Sequence, residues 1–231
     1  MAIYAISDLH LPLGVKKPMN IFGKAWDNYI ERLEYNWNAK IKPCDTVILP
    51  GDLSWATYLN ESYEDFKFIN ALYGKKIILK GNHDYYFTTL SKMNKFFKEN
   101  NFDTISVLQN NCFLVENTPI CGSRGWDITS VGEEDKRLVL REAARLDLSL
   151  AQAEKNYPDL PVYVFLHYPP ICKTNSNNPI LDVIKKYNVK NCYYGHLHAR
   201  GIETAFIGEN DNVSFSLISA DYLQFNPLLI K

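Results

Sequence analysis

Five apolar runs of strand length each stop at a short polar cluster, a repetition that limits how this chain can fold. The runs are residues 3–6, 46–49, 76–79, 163–166 and 192–194. The clusters are Asp8-Leu9-His10, Gly51-Asp52, Gly81-Asn82-His83-Asp84, His167-Tyr168-Pro169-Pro170 and Gly195-His196-Leu197-His198. Short apolar runs without alternation read as strands buried on both faces. Segments of helical period separate them. Phe22, Trp26, Tyr29, Ile30, Leu33 and Trp37 share one face and predict one helix. Ser62-Tyr63-Glu64-Asp65 predicts a helix start, with Phe66, Ile69, Leu72 and Tyr73 inward. Shorter helices are expected at 91–99 and 180–187, and a long one carries Val139, Ala143, Leu146, Leu150, Ala153 and Tyr157. Runs of β type fall at 104–108, 112–115, 120–121, 202–207 and 213–218. Strand–helix alternation with β-only stretches in the middle and at the end predicts a mixed α/β domain. Open α/β sheets present their sites at strand ends, where all five clusters sit.

At 231 residues and 46% hydrophobic, the chain can bury a sizeable core, and no linker, repeat or low-complexity tract divides it. A single domain over 1–231 is expected. The five cysteines (Cys44, Cys112, Cys121, Cys172, Cys192) are odd in number and include no C-x-x-C pair, which predicts free thiols in a reducing compartment. The N-terminal segment lacks a basic, then long apolar, leader, and no run reaches bilayer length. A cytoplasmic protein with no membrane partner is expected. The formal net charge of -1 shows none of the basic excess of a non-specific nucleic-acid binder, so nucleic acid is not favoured as a partner. Nothing in the pattern specifies an oligomeric state.

The clusters combine carboxylate, amide oxygen and imidazole. Imidazole with carboxylate suits zinc, iron or manganese, whereas an all-oxygen set suits calcium or magnesium. In D-x-H and H-x-H, alternation along an extended segment would place both side chains on one side. All five histidines of the chain, His10, His83, His167, His196 and His198, lie in these clusters. None is left for ordinary surface or core duty, which favours one shared site over five separate structural roles.

This ordered set resembles the calcineurin-like metallophosphoesterases, whose pattern is D-x-H, G-D, G-N-H-[D/E], a lone H and G-H-x-H. Every element is present from Asp8 to His198. The resemblance implies two packed mixed β-sheets flanked by helices, a four-layer α/β/β/α fold with the site over the strand ends. It implies two transition-metal ions, Mn, Fe or Zn. One would be held by Asp8, His10, Asp52 and His198, the other by Asp52, Asn82, His167 and His196, with Asp52 bridging. It implies attack on a phosphate ester by a hydroxide shared between the ions. His83 would face the substrate as a phosphoryl-stabilising group or proton donor, with Asp84 orienting it. Leu53-Ser54-Trp55-Ala56 stands where Ser/Thr protein phosphatases of the superfamily carry Asp-Arg-Gly, and Asp84 where they carry Glu. The expected substrate is a small organic phosphate, monoester or diester. The rival readings are a nuclease of the same superfamily and a non-catalytic metal-binding scaffold.

Two further expectations concern the substrate side. Arg124, in the Gly-flanked Cys121-Gly122-Ser123-Arg124-Gly125-Trp126-Asp127, is a candidate for a bidentate contact to a substrate phosphate, and Trp126 is its near neighbour in the chain. Trp55, Tyr85, Tyr86, Trp126 and Tyr168 flank the clusters and are candidates to wall a pocket for a flat group. Arg137, Arg141 and Arg145 fall on the polar side of the long helix.

Overall fold

A computed structural model describes residues 1–130, 132–172 and 177–231. One sheet has five strands in the order β11-β1-β2-β3-β4: β1 Ile3–Ala5, β2 Thr46–Pro50, β3 Lys75–Leu79, β4 Ile105–Val107 and β11 Leu228–Leu229. The other has six in the order β5-β6-β7-β8-β10-β9: β5 Phe113–Val115, β6 Thr118–Ser123, β7 Val162–Leu166, β8 Val189–Tyr194, β9 Gly208–Asn210 and β10 Val213–Leu217. Inner strands pair in parallel; β11, β5 and β9 close three edges antiparallel, and β4 closes the fourth in parallel.

The strands that read as continuous apolar runs are the ones covered on both faces. Ile3, Ala5, Ile48 and Leu79 of the first sheet meet Ile120, Phe165 and Tyr193 of the second. The outer face of the first sheet is covered by α1 (Tyr29–Lys40), α2 (Tyr63–Ala71) and α3 (Leu90–Glu99), through Leu33, Trp37, Phe66, Ile69, Met93 and Phe97. The second carries α4 (Glu133–Asn156) and α5 (Pro179–Lys186), through Leu146, Leu150, Ile180 and Ile184. The layers are therefore α/β/β/α, as the resemblance implied. Local chemistry sets the helix starts. Asn178 caps α5 by accepting from the N–H groups of Ile180 and Leu181, with Pro179 in the first turn. Glu133, Glu134 and Asp135 face the positive end of the α4 dipole.

Two expected elements differ. The helix expected from Phe22 begins only at Tyr29. Residues 19–26 instead form two 3₁₀ turns separated by Gly23 at φ 121°, and Asn28 is left-handed at φ 48°. Those two backbone reversals break the helical frame, and Phe22 points to solvent. The strand expected at 202–207 is a 3₁₀ segment, Ala199–Thr204, followed by one bridge from Ala205 to Cys172. β10 already occupies the edge of β8 there, leaving this segment no ladder to join.

Because β1, β2, β3, β7 and β8 are parallel within their sheets, their C-terminal ends deliver the five polar clusters to one edge of the sandwich.

Candidate metal centre

The loop after β1 runs beside the loop after β2. Asp8 N–H donates to Gly51 O and His10 N–H to Asp52 O, each at 2.9 Å. The two side chains of Asp8-Leu9-His10 do reach one site, though not by strand alternation. Asp8 and His10 sit in the left-handed region at φ 61° and 47°, as do Asp52 at 54° and His196 at 70°. Non-glycine residues held there store roughly 1–3 kcal/mol each, a strain concentrated at functional sites. Two glycines of the pattern have a steric reason. A Cβ on Gly81 would lie 2.1 Å from Asp52 Oδ1, and one on Gly195 would lie 2.3 Å from Asp8 Oδ2. The backbone must pass directly against each carboxylate, and only glycine permits it.

The side chains gather in two overlapping groups. In the first, His198 Nε2 is 3.3 Å from Asp8 Oδ1 and 3.4 Å from His10 Nε2, and His10 Nε2 is 3.8 Å from Asp52 Oδ2. In the second, His167 Nε2 is 3.5 Å from Asp52 Oδ2 and 2.6 Å from Asn82 Oδ1, while His196 Nδ1 is 2.9 Å from that same amide oxygen. Asp52 Oδ2 faces both groups; its Oδ1 is held by the His83 N–H at 2.8 Å.

These atoms fit a metal on three counts. Ligands about 2.1 Å from a tetrahedral ion stand about 3.4 Å from one another, close to the spacings found. Asp8, His10 and His198, and separately Asp8, Asp52 and His167, each offer ligand atoms within 4.8 Å of one another. The electrostatics also call for a cation. Burial, with Asp84 and Asp8 nearby, pushes the Asp52 carboxyl up to about 9, and burial pushes His167 down to about 3. Burial opposes ionisation of Asp8 too, yet His198 and His167 hold it below the usual carboxylate range. Neighbouring carboxylates that resist ionising together are relieved by a cation between them.

Further groups aim the candidate ligands. His167 Nδ1 lies 3.2 Å from Pro50 O, leaving Nε2 to the cluster. His198 Nδ1 lies 2.8 Å from Asp221 Oδ1, and Asp221 Oδ2 also accepts from the Ala199 N–H. Asp221 is a residue that sequence reasoning missed, since it stands in Ala220-Asp221-Tyr222 with no histidine near it in the chain. A carboxylate on the far nitrogen of a ligating histidine fixes tautomer and ring orientation, and losing it typically costs about 10- to 100-fold in metal affinity. Asp221→Asn is therefore expected to weaken metal binding by about that factor with the fold intact. Competition with a chelator of known affinity checks it; unchanged affinity would remove Asp221 from the site.

Asp84, expected to orient His83, does something else. Its buried carboxylate accepts from the N–H groups of Asp52, Leu53 and Gly81 at 2.7–2.8 Å and from the Tyr86 hydroxyl at 2.9 Å. It ties the β2 and β3 loops together and so fixes Asp52 and Asn82. His83 is half-buried, its ring 4.8 Å from Trp55 and 5.8 Å from His10. Burial, then Lys17, lowers its pKa.

The aromatics divide. Trp55 stacks on His10 at 4.7 Å under the Lys17 ammonium, and Tyr168 lies 4.2 Å from His196. Tyr86 is a core residue, 1% exposed, not a pocket wall. Tyr85 is exposed. Trp126 donates from Nε1 to Asp135 Oδ1 at 3.0 Å and carries the Arg124 guanidinium 4.4 Å from its ring centre. The Arg124 carbonyl accepts from the N–H groups of His167 and Tyr168, placing this segment against the cluster, but its side chain turns toward Glu142 of α4. Arg141 and Arg145 converge on the same carboxylate. Among the described residues, no helix is long and apolar enough to cross a membrane.

A family model described as calcineurin-like phosphoesterase matches residues 1–200. No curated protein matches the sequence. Among solved structures, a protein of unknown function from Aquifex aeolicus is 17% identical with a TM-score of 0.54, over 99% of this chain and 95% of that one. A phosphopantetheinyl hydrolase from Mycobacterium tuberculosis is 14% identical with a TM-score of 0.53, again over 99% and 95%. A protein from Thermus thermophilus is 13% identical with a TM-score of 0.55, over 85% and 81%. At such identities the likeness is one of fold. The family match covers most of the chain, and with the Asp/His cluster it places the protein among the calcineurin-like phosphoesterases, a family of metal-dependent phosphoester hydrolases.

Proposed function

We propose that the protein hydrolyses a small organic phosphate ester at a two-metal centre. The observation that carries this reading is the pair of overlapping ligand groups facing one carboxylate oxygen, Asp52 Oδ2. Asp8, His10, Asp52 and His198 would hold one ion; Asp52, Asn82, His167 and His196 would hold the other. Bound there, the pair supplies a more acidic water and neutralises charge on the phosphoryl oxygens.

The rest falls to the chain. Asp84 and the left-handed loops hold the ligands rigidly, so little reorganisation accompanies the reaction. His83 stands beside the cluster with its ring outside both ligand groups, where its protonated imidazole would donate to the leaving oxygen. A cleft of about 500 Å³ opens on the His196 side, lined by Asp127, Ile128, Tyr168, Pro169 and Leu197. Its mostly apolar wall suits the organic part of a substrate.

The protein supplied with Mn²⁺ or Fe is expected to carry about two ions per chain. Elemental analysis finding one tight site, or none, would overturn the two-metal reading. A panel of phosphomonoesters, cyclic nucleotides, dinucleotides and single-stranded DNA tests the substrate. Cleavage confined to DNA would replace the small-ester reading with a nuclease.

A further inference from the structure

A second cavity, of about 300 Å³, opens at the C-terminal ends of β3, β4 and β6, on the same strand-end edge that carries the metal cluster. Its lining includes Lys80, Arg124, Arg141, Arg145 and Glu142. Lys80 is two residues from Asn82, so their Cα atoms are at most about 7 Å apart. Arg124 is joined to His167 through its carbonyl.

The charge balance in this cavity is unusual. Glu142 is 0% exposed, and its Oε1 lies 2.7 Å from Arg145, 3.2 Å from Arg141 and 3.8 Å from Arg124. Among the described residues no other carboxylate lines the cavity, so one anion stands against four cations. Three like-charged guanidinium groups gathered on one carboxylate oxygen repel each other at low effective dielectric. That arrangement is stabilised by a further anion.

Unpaired atoms define the ligand further. Among the described residues, the buried Arg124 Nε is a donor without an acceptor, while Glu142 Oε2 and Gln109 Oε1 are acceptors without a donor. A group that satisfies both kinds offers anionic oxygens next to a hydroxyl. Arg forks match phosphate oxygens, and a sugar hydroxyl supplies the donor.

We propose that Lys80, Arg124, Arg141 and Arg145, gathered by Glu142, bind a second phosphate of the substrate, one that is not cleaved, so that the preferred substrates are sugar or nucleoside compounds bearing two separated phosphates. The proposal rests on the phosphoesterase reading above and narrows it. It gives Arg124 a place in phosphate recognition, but as one of four cations outside the metal cluster.

The test compares glucose 1,6-bisphosphate with glucose 1-phosphate and glucose 6-phosphate. Binding is read by calorimetry on metal-loaded protein, using His83→Ala if wild type turns the ligands over. The bisphosphate is expected to bind about tenfold or more tighter than either monophosphate, the scale of one or two charge-assisted hydrogen bonds. Arg141→Gln and Arg145→Gln, measured singly, should each remove most of that difference. Their side chains are 47% and 40% exposed, and either variant leaves Glu142 two guanidinium partners, so the fold is expected to survive. Equal affinity for all three compounds in wild type, or a difference that persists in both variants, would overturn the second phosphate site. The preference appearing in binding with no hydrolysis of any phosphate ester would instead overturn the catalytic reading and leave this site standing. Arg145→Lys, which keeps charge and loses the fork, should retain part of the preference; complete loss with an unfolded circular dichroism spectrum would move the decision to Arg141→Gln alone.

Discussion

Asp52→Asn is expected to lower turnover by about 10³-fold or more, the scale of losing several kcal/mol of charge stabilisation at a metal site. It is also expected to reduce metal content at both positions. The geometry explains why so small a change does so much. Oδ1 accepts from the His83 N–H, a bond that an amide oxygen preserves. Oδ2 faces His10 and His167, and an amide would turn an uncharged donor toward those nitrogens. Stability should move the opposite way in chelator-treated protein. Burial, then Asp84 and Asp8, raises this carboxyl to about 9 in the fold. Between its ordinary value of about 4 and that raised value, the folded chain binds more protons than the unfolded one, so its stability falls as pH rises through that window. The amide does not titrate and escapes the penalty. At neutral pH the metal-free variant should therefore melt higher than metal-free wild type, while the metal-supplied variant melts lower than metal-supplied wild type. Elemental analysis, a phosphatase assay and melting with and without chelator read all three signs. Full metal content and activity in Asp52→Asn would show that Asp52 is not the bridge.

Much of this site is legible in the sequence because its parts are local. Each of the five clusters is two to four residues long and follows an apolar run, so the pattern names Asp8, His10, Asp52, Asn82, His83, His167, His196 and His198 without any knowledge of tertiary contacts. The mixed α/β class follows from the alternation of strands and helices, whereas the layer order comes from the family resemblance. What the pattern hides is long-range. Asp221 reaches His198 across 23 residues, and Glu142 reaches Arg124 across 18, and neither carries a local signature. Asp84 misled for a related reason. Its place directly after His83 invites pairing with that ring, whereas the sharp loop leaves three backbone N–H groups pointing at its carboxylate. Burial then makes those bonds obligatory, because an unpaired buried N–H costs about 1–3 kcal/mol. Strand alternation misled as well. The i, i+2 pair of Asp8 and His10 converges through two left-handed residues, a geometry that propensity does not foresee.

His83→Ala separates an enzyme from a metal-binding scaffold. The ring centre lies 5.8 Å from that of His10 and 4.8 Å from that of Trp55, but it belongs to neither ligand group, and its backbone N–H, not its imidazole, holds Asp52. Truncation should therefore leave the fold and the metal content as they are. Turnover should fall by about 10²- to 10⁴-fold, the usual worth of a positioned proton donor. The loss should depend on the leaving group. An alkyl alcohol departs poorly without a proton, so an alkyl phosphate should lose most; an activated aryl phosphate, whose phenolate departs readily, should lose least. Equal losses on both would assign His83 to holding the phosphoryl oxygens and not to protonating the leaving one. A scaffold makes a different forecast: with Mn²⁺, Fe²⁺, Zn²⁺ or Co²⁺, wild type turns over no phosphate ester faster than Asp52→Asn does. That result would remove the proposed turnover for this chain while leaving its fold and its cluster of ligands in place. The proton-donor role stands if metal content is constant, the alkyl loss exceeds the aryl loss, and the alkaline limb of the wild-type kcat/KM profile, where a proton donor loses its proton, changes in His83→Ala.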